Sequence, residues 1–230
     1  MAEPSVSVVL AVRNGARYIA EAIGSVLAQH HRPLELLVID GASTDGTAEI
    51  ATGYPGVRVD QQPGTGIPDA WNHGIRLATG DLVAFISHDD RWTGRKLDSQ
   101  VGLMRDDPRL VYTVGRLRYF LEPGAVPGPG FRPELLEGDH VGRVMETLVA
   151  RREAFETVGL LSTDLSLAHD VDWYARAKDL GVPMAIVPEV VLEKRVHSDN
   201  ASSRPEVNSP EMLDALRRSI RRQRERRHRT

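Results

Sequence analysis

Leu82-Val83-Ala84-Phe85-Ile86-Ser87-His88-Asp89-Asp90 is an apolar run of strand length that ends abruptly in two adjacent carboxylates. Like charges side by side are costly where a strand meets its loop, so a cation is expected to neutralise them there. A hard divalent ion, Mg²⁺ or Mn²⁺, suits the place, because it takes one or two carboxylates and leaves its other positions to phosphate oxygens. Taken alone, the pair reads equally well as a solvated acidic loop, and what surrounds it decides.

Outward from this run, apolar β-rich segments at 5–12, 34–40, 57–61 and 81–86 alternate with segments of helical period at 15–29, 45–52, 67–79 and 93–106. That order predicts an α/β fold with a mostly parallel, Rossmann-like central sheet flanked by helices. Polar residues follow the strands: Arg13 and Asn14 after the first, Asp40 after the second, Ser87 to Asp90 after the fourth. In open parallel sheets the ligand crevice lies outside the C-terminal strand ends, so these residues are expected to converge. Asp40 closes a buried strand, where its carboxylate can accept the imide N–H of a pyrimidine base. Ala11, Val12, Arg13 and Asn14 then complete a shelf for a nucleotide. In the turn after Asp40, Ser43, Thr44 or Asp45 is available as a helix N-cap.

Further on, the segment 122–130 has six Pro or Gly residues in nine and no period, and reads as a loop or lid, with 122–132 expected to order over bound ligand. An apolar patch at 148–150 and a helix at about 151–158 follow. A helix starting near Asp170 places Trp173, Ala177 and Leu180 on one face and ends at Gly181 as C-cap. Val182 to Val187 and Val190 to Val196 read as two short strands.

Four blocks, in this order and spacing, resemble the family 2 glycosyltransferases. They are Ser7 to Gly15, Val38 to Thr47, Gly66 to Ile75, and Ala78 through Asp89-Asp90. The resemblance covers residues 5 to about 200 and implies the GT-A fold with inverting transfer from a nucleotide-diphosphate sugar, a UDP-sugar being favoured, to an acceptor hydroxyl. It implies a catalytic domain at 1–205, with a nucleotide-binding half at 1–90 and an acceptor half at 91–205; the spacing and charge of 206–230 add a C-terminal amphipathic helix with an Arg-rich tail. Asp40 matches the family's base-recognising aspartate, with Ala11, Val12 and Asn14 beside it. Asp89 and Asp90 match the acidic pair that holds donor ribose and the Mn²⁺ or Mg²⁺ bridging its diphosphate. Asp170, in Ala168-His169-Asp170-Val171-Asp172-Trp173, matches the catalytic base, and His197 a histidine near the diphosphate or metal. The segment 66–74 resembles a Gly-Ile-Tyr-Asp-Ala-Met-Asn-Lys-Gly variant, which implies that Asp69 and Asn72 border the donor sugar.

The chain departs from the pattern at Gly41, where a second aspartate is usual, at Ser87, where an acid or asparagine is common, and at His169, where the base motif has glutamate. It lacks the Gln-X-X-Arg-Trp signature of processive synthases, which points to transfer of a single sugar. Residue by residue, other roles stand beside these: Asp170 as N-cap of its helix, Asp172 as a structural or acceptor-facing group, His197 as a loop histidine, and Trp71, Trp92 and Trp173 as core packing or sugar platforms. Two other function classes compete. One is a sugar-nucleotide-binding pseudoenzyme. The other is a hydrolase using a metal cluster drawn from His88, Asp89, Asp90, His169, Asp170 and His197.

The 230 residues contain no cysteine, which removes disulfides, thiolate catalysis and zinc-thiolate sites and suits the cytoplasm. The opening apolar run is too short for a membrane span and lacks the basic flank of a signal peptide. A formal net charge of −3 hides an asymmetry, since eight arginines against Glu225 give the last fourteen residues +7. No nucleic-acid partner is expected. The basic tail suits a solvated or self-docked helix end, or peripheral contact with the inner membrane face. Leu213, Leu216 and Ile220 fall at i, i+3 and i+7, a stripe expected to pack the last helix on the body.

Overall fold

The computed structural model describes residues 3–128, 131–198, 200 and 205–227. Strand β1 (Val6–Val12) leads to helix α1 (Ile19–Leu27), and β2 (Glu35–Asp40) to α2 (Thr47–Thr52). Next come β3 (Val57–Gln61), α3 (Ile67–Leu77) and β4 (Leu82–Ser87). The second half holds β5 (Arg91–Trp92), α4 (Lys96–Asp106), β6 (Tyr112–Leu121), β7 (His140–Val141), β8 (Val149–Arg151) and α5 (Ala154–Thr157). Helix α6 (His169–Asp179), strand β9 (Met184–Val196) and helix α7 (Pro205–Arg227) close the described chain.

One sheet runs through all of this in the order β3-β2-β1-β4-β8-β6-β9-β5, with β7 on β6. The predicted parallel portion is β3-β2-β1-β4. Beyond β4 the sheet is mixed: β8 is antiparallel to both β4 and β6, while β9 is parallel to β6. Two antiparallel steps restore the original direction, so β9 ends at the same sheet edge as β1, β2 and β4. That edge is where the polar residues gather.

Apart from the buried Ser7, the interiors of the central strands β1, β2 and β4 are apolar because both faces are covered. From β1, Val6, Val8, Leu10 and Val12 pack with α1 and α4, while Val9 and Ala11 pack with Trp71 and Ile75 of α3 and with Trp173 of α6. Helix α3 comes unusually close to β1, since a Cβ at Gly74 would lie 2.1 Å from Val9 Cγ1. Only glycine allows that approach.

Four sequence expectations are corrected here. The patch at 148–150 is strand β8, and the helix expected at 151–158 shortens to α5. Three strand residues are too few to show alternation. The two strands expected at 182–196 are one strand, β9, which passes Pro188 by a register shift against β6 between Val114 and Arg116. The bulge removes the need for a proline N–H in the ladder. Helix α6 ends as expected, with Gly181 at φ +69 and Val182 N–H reaching Ala177 O at 3.0 Å, but Leu180 is the C-cap and is exposed.

The fourth correction concerns α7. Its expected apolar stripe does not meet the body: Leu213, Leu216 and Ile220 are 54%, 48% and 51% exposed. The inward face carries Ala215 and Ser219, and polar bonds fasten it. Arg218 pairs with Asp164 at 2.6 Å, Arg222 with Asp179 at 2.9 Å, and Ser219 Oγ donates to Asp179. The body offers carboxylates at this place, Asp179 and Asp172 with buried side chains and Asp164 at the surface, so the arginine face docks and the leucine face turns out.

Candidate active site

A cleft of about 640 Å³ opens along the sheet edge. Ala11, Val12, Arg13 and Asn14 line one side of it, as the end of β1 requires. Asn14 adopts φ +52, a left-handed conformation that asparagine tolerates. Its side chain accepts Thr44 N–H at 2.9 Å while its own N–H donates to Ser43 Oγ at 2.8 Å, lacing the two strand-end loops together. Asp40 pairs in register with Val12, but both carboxylate oxygens are turned onto Ser43, and the carboxylate does not line the cleft.

Two further predicted donor contacts lie off the cleft. Asp69 accepts from Gln62 Nε2 at 3.0 Å and Gly64 N–H at 3.1 Å, which pins the loop before α3. Asn72 is buried, and its amide exchanges two 2.9 Å hydrogen bonds with the backbone of Leu161. Asn72 is therefore a clamp between α3 and the segment after α5, a correction to its expected place at the sugar. Of the helix, Gly66, Ile67, Ala70 and Trp71 reach the cleft instead. Trp71, Trp92 and Trp173 are all core residues.

The two adjacent carboxylates separate. Asp89 lines the cleft and lies 3.1 Å from His197 Nε2 and 3.3 Å from Asn200 Nδ2. Burial opposes its ionisation, but the His197 bond and the charges of His88 and Lys194 outweigh burial and hold it below the usual carboxylate range. Asp90 points away, wholly buried, accepting Lys194 Nζ at 2.7 Å and Arg195 N–H at 3.0 Å. Burial raises its carboxyl against the pull of Lys194. The expected three ligands Asp89, Asp90 and His197 thus reduce to the pair Asp89 and His197 at the cleft. Among the described residues, no three metal-ligating side chains come together, which includes the six named for a hydrolase.

Glu146 and Lys194 are cleft residues that the motifs did not mark. Glu146, in the turn 145–147, accepts from Ser87 Oγ at 2.8 Å and from Lys194 Nζ at 3.1 Å. Ser87 is one of the chain's departures from the family pattern, and Glu146 places a carboxylate against it. Burial opposes the Lys194 charge, but Asp90, Glu146 and Asp89 overcome it and hold the ammonium well above its usual range.

Asp170 lines the same cleft from the start of α6. It is not the N-cap; Ala168 holds that position, and Asp170 Oδ1 accepts the next N–H, Val171, at 2.6 Å. Burial, and then the Glu146 charge, push its carboxyl up to about 7. His169 is buried with Nδ1 3.2 Å from Ser166 O, so Nδ1 carries the hydrogen, and burial lowers the ring's pKa, leaving it neutral. Asp172 is structural, held by Ser162, Arg176 and Arg222.

Helix α7 packs Ala215 against Leu165 and Ala168 of this loop and holds the loop's backbone through Glu211. The Glu211 carboxylate accepts Ser166 N–H and Oγ, Leu167 N–H and Ala168 N–H at 2.6 to 3.0 Å. Glu211→Ala frees the segment that leads into Asp170, the base expected from the sequence, and a misplaced base loses rate steeply. Transfer is expected to fall by about tenfold with unchanged donor affinity, read by initial rates beside calorimetric titration. An unaltered rate would show that the loop holds itself.

The Pro/Gly-rich segment is tied down at its first residue, Glu122, which pairs with Arg17 at 3.0 Å and accepts Tyr18 Oη–H at 2.7 Å. Both partners line the cleft. Residues 129 and 130 of the expected lid lie outside the described residues.

This architecture is that of the GT-A glycosyltransferases. TarS of S. aureus, solved with UDP-GlcNAc, superposes with a TM-score of 0.74 at 18% identity, over 95% of this chain and 66% of that one. The mannosyltransferase PcManGT of Pyrobaculum calidifontis, solved with GDP-Man and Mn²⁺, gives 0.72 at 22% identity, over 96% and 65%. The model of Glycosyl transferase family 2 matches residues 7–158, and the chain belongs to that family. An uncharacterized glycosyltransferase of Rickettsia typhi is 28% identical over 93% of this chain and 70% of its own length. The putative teichuronic acid biosynthesis glycosyltransferase TuaG of Bacillus subtilis is 33% identical over 45% of this chain and 43% of its own.

Proposed function

We propose that the chain transfers a single sugar, with inversion, from a nucleotide-diphosphate sugar to an acceptor hydroxyl. The observation that carries the reading is the placement of Asp170 and the Asp89–His197 pair on one cleft beside the β1 shelf. Asp170 takes the proton of the acceptor hydroxyl, whose oxygen forms the new bond to the anomeric carbon as the bond to the diphosphate breaks. A carboxyl with its pKa pushed up to about 7 suits a general base at neutral pH. Glu146 holds Lys194 beside it and keeps Asp170 basic. Asp45, whose carboxylate accepts Ala16 N–H and Thr47 Oγ1–H, braces the shelf.

A carboxylate and an imidazole fit a Mn²⁺ or Mg²⁺ ion that takes its remaining ligands from diphosphate and water. Asp89 and His197 would hold it, and it would neutralise charge developing on the leaving diphosphate. A UDP-sugar is the favoured donor, supported by the UDP-GlcNAc bound to TarS; Asp40 would have to release Ser43 to reach the base. In titration calorimetry the wild-type chain is expected to bind UDP-sugar with Mn²⁺ at least about tenfold more tightly than with EDTA, a difference that Asp89→Ala abolishes. Equal affinity under both conditions would sink the metal-assisted reading. A pseudoenzyme would bind donor yet release no nucleoside diphosphate on incubation.

A further inference from the structure

We propose that the outer face of α7 is a docking site for an anionic membrane surface. The face is defined by what it leaves uncovered. Leu213, Leu216 and Ile220, at i, i+3 and i+7, are each about half exposed, and the exposed Arg217, Arg221 and Arg224 lie among them. The opposite face is fully committed to the body through Glu211, Arg218 and Arg222, so α7 cannot bury its leucines by rolling over.

The mixture of side chains selects the occupant. A second copy offering the same face would set arginine against arginine, which costs energy at an apolar contact. A nucleic acid would meet the arginines but leave three apolar side chains without a partner. At an anionic bilayer surface both sets are satisfied: the apolar groups enter the boundary between headgroups and acyl chains, and the guanidinium heads extend to lipid phosphates. No described helix is long and apolar enough to cross a membrane, so the contact lies in the interfacial plane. Because Glu211 of the same helix binds the 166–168 backbone, docking holds the Asp170 side of the cleft at the surface. The inference does not depend on the transferase reading, and donor affinity measured in parallel keeps the two apart.

The test is flotation of the full chain with vesicles of phosphatidylglycerol and phosphatidylcholine, against phosphatidylcholine alone. Binding is expected only to the anionic vesicles and is expected to weaken at about 0.5 M salt. Two triple variants, Leu213→Glu with Leu216→Glu and Ile220→Glu, and Arg217→Glu with Arg221→Glu and Arg224→Glu, should each lower partitioning at least about tenfold. All six side chains are exposed, so thermal melting should match the wild type. Absence of binding to anionic vesicles, or binding that survives either triple variant, overturns the proposal. Loss with the arginine variant alone would reduce the face to a basic patch. A dimer in sedimentation velocity that the leucine variant dissolves would assign the face to a second copy, and equally overturns it.

Discussion

Asp170→Asn is expected to lose transfer by about 10²–10⁴-fold while keeping its fold and its donor affinity, because a positioned general base contributes that much. The amide preserves shape and the oxygen that accepts Val171 N–H, and removes only the basicity. Rates under saturating donor, with affinity measured separately, check this. If the variant keeps more than about a tenth of the rate, the base lies elsewhere. Asp172 is excluded as the substitute by its burial under Arg176 and Arg222, so Glu146 becomes the next carboxylate to test.

The pH behaviour follows from the same group. Burial and Glu146 push Asp170 up to about 7, so kcat in the wild type should rise with pH and level off above that value. The sign for stability is opposite to that of a salt-bridged carboxylate. An unperturbed aspartate loses its proton near about 3.9, so between about 4 and 7 the folded chain holds a proton that the unfolded chain has released. Stability from this group therefore declines as pH rises through that window, and the full cost is present above it. In metal-free buffer Asp170→Asn should accordingly melt higher than the wild type at pH about 8, with the difference vanishing near pH about 4. A site arranged for reactivity at the expense of stability behaves this way. No difference at either pH would mean that solvent reaches the carboxyl freely.

The central strands of the first half were legible because a strand buried on both faces writes itself as a largely apolar run, with polar residues at or just past its end on the ligand edge. Asp89 was legible for the same reason, following an apolar strand, whereas Asp170, in the first turn of α6, was marked by its match to the family's base motif. Asp90 was not legible. Sequence puts it beside Asp89, but consecutive residues at a strand end face opposite ways, and only β9 on the inner side tells which carboxylate meets Lys194. Glu146 carried no signal at all, being one residue of a three-residue turn without periodicity. Asn72 shows a motif position whose side chain serves the frame rather than the ligand. For α7 the pattern revealed two unlike faces without revealing which one the body wants. That depended on Asp164 and Asp179, distant in sequence and acidic, waiting for arginine.

Lys194→Met should be the most destabilising single change at the cleft. The ammonium lies 2.7 Å from the wholly buried Asp90 and 3.1 Å from Glu146. Removing one partner of a buried ion pair costs about 3–5 kcal/mol, because the remaining charge keeps its desolvation penalty and loses its compensation. For a chain of this size about 1 kcal/mol shifts Tm by about 2–4 °C, so a fall of the order of 10 °C is expected in thermal melting. Adding Asp90→Asn should recover part of the loss, and the double-mutant cycle measures the coupling. A second readout separates this role from mere packing. Lys194 holds the Asp170 pKa down while Glu146 raises it, so without the lysine the acid limb of the kcat profile should move to higher pH. A variant that is less stable but keeps the wild-type pH profile would confine Lys194 to the structural half of this role, with the charge at the cleft set by other groups.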